Sequence, residues 1–156
     1  MKKILIIIFG FYLGAVVFMP KKDIYFKVLE FLDKKGINVA SKTICTPFSL
    51  NLENVKIYYL KMASASIKKA EIFPFLFVNI LNIKNLNINI GNYKIKNLNI
   101  VYIPFTDAKI KGEGNFGKIR GYIKFKEIKI RIENPTNEIK PFLKKDKKGY
   151  YYYERF

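Results

Sequence analysis

The chain has 156 residues, half of them hydrophobic and 16% aromatic, a composition that suits one packed domain plus an anchor and argues against general disorder. Its 29 Lys and Arg outnumber 12 Asp and Glu, giving a net charge of +17 that attracts polyanions; Lys, Ile and Asn also rise together, as an A/T-rich genome makes them, so charge alone selects no ligand. A single cysteine, Cys45, and the absence of histidine exclude an intrachain disulfide, a thiolate metal cluster and a histidine-activated nucleophile.

In chain order, Met1-Lys2-Lys3 precedes the apolar run Ile4–Met19, which Pro20 and Lys21-Lys22 close. A basic start before an apolar run marks a signal sequence or an anchor. The residues before Pro20 are bulky (Val16, Val17, Phe18, Met19) where a peptidase needs small ones, so an uncleaved anchor over residues 1–20 is expected. The run is short against the roughly 17–25 residues of a span, and snorkelling lysines at both ends lengthen it. A short N-terminal flank usually stays cytoplasmic, so residues 21–156 are expected on the exported side of a single-pass anchor. Asp23–Gly36 reads as an amphipathic helix. Asp23 is its cap, Ile24, Val28, Phe31 and Leu32 its stripe, and Gly36 its C-terminal stop. Such a stripe packs on a sheet or lies along the membrane.

From Ile37 onward strand formers dominate. Strands are predicted at Asn38–Thr43, Leu50–Leu60, Ser64–Phe73, Asn82–Ile90, Tyr93–Ile103, Ala108–Gly114 and Gly117–Ile132, with a short helix over Phe75–Leu81 started by Pro74. The hexapeptide Ile-Lys-Asn-Leu-Asn-Ile occurs at Ile83–Ile88 and again at Ile95–Ile100, with Gly91-Asn92 as a hairpin turn between the copies. Alternation slips once per strand, at Glu53-Asn54, Lys84-Asn85, Lys96-Asn97 and Lys126-Glu127. A period-two strand changes parity only by absorbing an extra residue, so β-bulges are predicted there. After the breaker Asn134-Pro135 come one helical turn within Glu138–Leu143, a basic loop at Lys144–Lys148 and a terminal strand at Tyr150–Tyr153. The fold class expected is mainly β, a curved antiparallel meander with an N-terminal transmembrane helix and one short amphipathic helix.

No motif carries chemistry. The carboxylates stand singly among lysines, the serines lack a base, and Gly112-Glu113-Gly114 lacks the lysine and helix of a phosphate loop. The chain is therefore read as non-enzymatic, with no catalytic, cofactor or metal site. The consecutive tyrosines point to both faces of a strand, unlike a base-stacking platform, so nucleic acid is not the expected partner. The apolar face of the long strands is the candidate site. Leu86, Ile88, Leu98, Ile100, Ile128 and Ile130 are expected to line an open groove for an acyl chain or a partner's strand.

The order of these features resembles the type II secretion system protein N family and the related AsmA-like proteins. The resemblance runs through the anchor and its proline, the helix ending in Lys35–Ile37, Leu50–Ile57, Ala70–Leu76, and Pro141-Phe142-Leu143 followed by Gly149–Tyr152. It implies an inner-membrane protein with a periplasmic curved sheet, accessory to an envelope machine. Its expected partners are the inner membrane, secretion or lipid-transport proteins, and lipid. The lipopolysaccharide-export bridge shares this architecture and supplies the alternative, a lipid-transport element.

Overall fold

The structure is a computed structural model that describes residues 2–89 and 91–155. Helix α1 (Lys2–Phe18) opens on Lys2-Lys3 and carries no charge from Ile4 onward, and Pro20 separates it from α2 (Lys21–Asp33). The Lys21 ammonium donates to the carbonyls of Val16 (2.7 Å) and Val17 (3.3 Å), placing a cation on the negative end of α1. Among the described residues no single helix is long and apolar enough to cross a membrane; α1 and α2, bent by 53°, meet that requirement only together.

Ten strands follow: β1 (Ile37–Cys45), β2 (Leu50–Tyr59), β3 (Met62–Phe75), β4 (Val78–Ile88), β5 (Tyr93–Tyr102), β6 (Ala108–Gly114), β7 (Gly117–Lys124), β8 (Glu127–Glu133), β9 (Lys144–Asp146) and β10 (Gly149–Arg155). They form one antiparallel sheet in the order β1-β2-β3-β4-β5-β6-β7-β8-β10-β9. The mainly β meander expected from the sequence is therefore present, and a single 3-10 turn at Lys140–Phe142 falls where one helical turn is predicted.

Four local expectations are corrected. Phe75–Leu81 is no helix: β3 runs through Pro74, Leu76-Phe77 turns, and β4 starts at Val78. Strand β2 ends opposite Ile72, so at Pro74 β3 has one neighbour and its missing N–H falls on the open side. The long strand Gly117–Ile132 is two strands joined by Phe125-Lys126. Across a two-residue hairpin an inward odd position (Ile123) faces an inward even one (Ile128), so parity inverts at Lys126-Glu127 without a bulge. Part of the predicted basic loop, Lys144–Asp146, pairs with β10 as a short edge strand. Finally, α2 starts at Lys21 with no side-chain cap, and Asp23 lies in its first turn instead.

The other three slips mark one line across the sheet. Asn54 (φ 52°) and Asn85 (φ 53°) are left-handed, a conformation Asn tolerates better than most residues. Asn54 is the extra residue of a bulge in β2 against β1, and Lys96 that of a bulge in β5 against β6. Between them Lys68 of β3 lies opposite both Asn54 and Asn85, and Asn85 lies opposite Lys96. Strands β2 to β5 therefore all change parity on one line, while β1 and β6 outside the two bulges do not. A slip in one strand would bury polar side chains in its neighbours; a shared slip keeps one face apolar on both sides of the line.

Tyr25 and Leu29 of α2 cover the first half of that face, packing with Leu50, Leu52, Val55, Ile67 and Ala70. Here the predicted stripe is rotated: Ile24, Val28 and Phe31 are exposed. Tyr25 takes the buried position because its hydroxyl reaches Ser41 Oγ of β1 at 2.7 Å, satisfying both polar groups. The second half forms another core of Ile95, Ile110, Phe116, Ile119 and Ile132, covered by Ile139 and Leu143 from the segment after β8.

Candidate functional site: the apolar face

All six sequence-predicted groove residues lie on one face. Cross-strand partners share a face, and the ladder runs Ile67–Leu86–Ile95, then Ala70–Ile83–Leu98–Gly112–Ile119–Ile132, then Ile72–Leu81–Ile100–Ile110–Gly121–Ile130. Ile88 sits between Ala65 and Tyr93, and Ile128 opposite Ile123. Tyr150 and Tyr152 of β10 extend these rows opposite Ile132 and Ile130, while Tyr151 and Tyr153 point the other way.

None of the six is fully buried and none is freely exposed. Leu86 packs against both cores, and Leu98, Ile100 and Ile130 against the second; Ile88 and Ile128 belong to neither. The buried residues of this face include Val55, Ile67, Ile95, Ile110 and Ile119, in the same rows or directly across from them. Sequence reasoning passed over them because Ala65, Ala70 and Gly112 interrupt the bulky alternation that marks an inward face. In β3 the slip at Lys68 is still readable, from Ala65/Ile67 to Ala70/Ile72.

The opposite face is polar and basic. One row reads Asn51–Glu71–Asn82–Asn99–Lys111–Arg120–Arg131, with Asn99 donating to Asn82. A shallow depression of about 480 Å³ opens over it, lined among others by Glu71, Lys84, Lys111 and Arg120. Salt links tie this face together: Lys69 to Glu71 at 2.7 Å, Arg120 to Glu133 at 3.4 Å, and a two-pronged Arg131–Asp146 pair at 2.9 and 2.6 Å. Hydrogen bonds from Arg131, helped by the Lys148 N–H, hold the Asp146 carboxyl down to about 2. The pair joins β8 to β9 across β10, which makes it a sheet fastener. Among the described residues no three potential metal ligands of the His, Cys, Asp and Glu types come together.

The chain matches no family model, no curated protein and no solved structure.

Proposed function

We propose that the protein is a non-enzymatic, inner-membrane-anchored envelope component of the type II secretion protein N or AsmA-like kind, with residues 1–20 as anchor and residues 21–156 as a periplasmic β domain. One observation carries this reading: an antiparallel sheet follows an exposed apolar helix and keeps its inward face only half covered. Burying a Leu or Ile side chain contributes about 1.5–3 kcal/mol, so a half-buried row retains free energy that an acyl chain or a partner's β-strand realises on binding.

Two measurements test it. Carbonate washing leaves the protein in the membrane and its N-terminus reads Met1, while a reporter fused after Phe156 is active in the periplasm; a soluble form starting after Pro20 ends the anchor reading. Photo-crosslinkers at Ile88 and Ile100 then report what lies over the face. Protein adducts favour the secretion scaffold and lipid adducts the alternative, a lipid-transport element. Crosslinks confined to the chain itself mean an ordinary core.

A further inference from the structure

An antiparallel meander puts alternate turns at opposite ends of the sheet, and the two ends differ in chemistry. At one end lie the β1–β2 turn, the β3–β4 turn, the β5–β6 loop and the β7–β8 turn. Each presents a phenylalanine to solvent: Phe48 (48% exposed), Phe77 (70%), Phe105 (fully exposed) and Phe125 (89%). At the other end the β4–β5 turn contains Asn89, Gly91 and Asn92, and the β6–β7 turn is Asn115-Phe116 with Phe116 buried. Of the described turns there, the β2–β3 turn exposes Leu60 and Met62, beside the end of α2, and the 3-10 turn after β8 exposes Phe142.

Adjacent strands lie about 4.8 Å apart, so turns at one end recur every ~10 Å and the four rings form a rim roughly 30 Å long. The rim is physically continuous with α1, because Tyr12 stacks on Phe77 with ring centroids 5.7 Å apart. Lys124 and Lys126 flank Phe125, and the Lys126 ammonium lies 5.8 Å from its ring. A row of exposed rings that meets an apolar helix at Phe77 and carries lysines at Phe125 matches a bilayer interface, where rings enter the acyl boundary and ammonium groups meet anionic headgroups.

We propose that this phenylalanine rim is a second membrane contact, which seats the strands end-on against the bilayer. The proposal rests on the membrane reading of α1. Phe18 lies six positions after Tyr12, about 9 Å along the helix. A tip touching Tyr12 therefore sits within the ~5–10 Å to which interfacial apolar groups penetrate. With α2 leaving the same end and running to Gly36 at the other, the apolar face then opens towards the membrane along the strand direction.

The full chain, with Cys45→Ser, is reconstituted in phosphatidylethanolamine/phosphatidylglycerol vesicles and labelled with an environment-sensitive fluorophore at single cysteines. Phe105→Cys and Phe125→Cys probe the rim, and Asn115→Cys the far end. All three are exposed turn positions, and unchanged thermal transitions verify the fold. The rim probes are expected to shift to the blue and to lose at least half their emission to lipids carrying a shallow spin label, with the Asn115 probe unaffected. Rim probes that behave like the Asn115 probe overturn the proposal. Rim probes shielded from water but unquenched by lipid also overturn it, since a second copy or another protein then covers the rim. Carbonate extraction of the same samples reads α1 separately: loss of the protein from the vesicles ends the anchor reading, whereas retention with water-like rim probes ends this proposal alone.

Discussion

Two asparagines sit on the line where the strands change parity. Asn54 and Asn85 occupy left-handed backbone, where most L-residues cost about 1–2 kcal/mol and a β-branched residue more. Asn85→Gly is expected to leave stability nearly unchanged, whereas Asn85→Val lowers it by about 1–3 kcal/mol in urea unfolding. Equal effects would mean that the conformation at 85 is not demanded by the fold. The Asp146–Arg131 pair has a pH signature. An unfolded Asp titrates at about 3.9, and the folded Asp146 is held at about 2. A depressed carboxyl pKa adds stability that is fully present above about pH 4 and disappears as pH falls towards 2. Asp146→Asn is therefore expected to narrow the gap between midpoints at pH 6 and pH 2.5, and an unchanged gap removes the pair from the stability of the β9 edge. Asn54 and Asn85 were visible in the sequence because Ile and Leu on either side changed parity. Lys68 was missed, its flanking inward residues including two alanines, whose small side chains blur the alternation.

Within the strands, position along the row decides the worth of an apolar side chain. Ile67 is buried between α2 and the β2–β4 rows, so Ile67→Ala is expected to cost about 2–5 kcal/mol. Ile88→Ala and Ile128→Ala, outside both cores, cost far less, and they are expected to impair ligand or partner capture before they impair folding. A loss at Ile88 or Ile128 as large as at Ile67 would make them ordinary core positions. Element identities were legible wherever alternation was long, as in the paired hexapeptides of β4 and β5. They were misread where a proline or a turn lay inside an apolar run. Pro74 reads locally as a helix starter, and only the length of β2 reveals that it stands where β3 has a single neighbour. Phe125-Lys126 carries none of the usual Asn or Gly turn chemistry, and its parity inversion looks the same in sequence as that of a bulge. The rotation of α2 escaped because apolar count favours Ile24, Val28 and Phe31, whereas the hydrogen bond to Ser41 favours Tyr25.

For the molecule as a whole, the class of fold followed from unbroken strand chemistry without intervening long helices, while the asymmetry of its two ends emerged only once the turns were placed. The meander also dictates an order of assembly. From β1 to β8 every strand pairs with the one made just before it, so each hairpin closes over a short loop at small entropic cost. A chain appearing from its N-terminus can add strands one at a time to a growing edge. The exception is β8, whose second partner is β10, on the far side of residues 134–148. Until β10 arrives, β8 is a bare edge carrying Ile128, Ile130 and Ile132, the exposure most prone to wrong pairing. Nascent chains arrested at successive lengths are expected to gain protease resistance hairpin by hairpin through Lys124, and then to pass through a window of self-association that closes when residues 149–155 emerge. A single all-or-none gain of resistance at full length would show that the strands wait for one another.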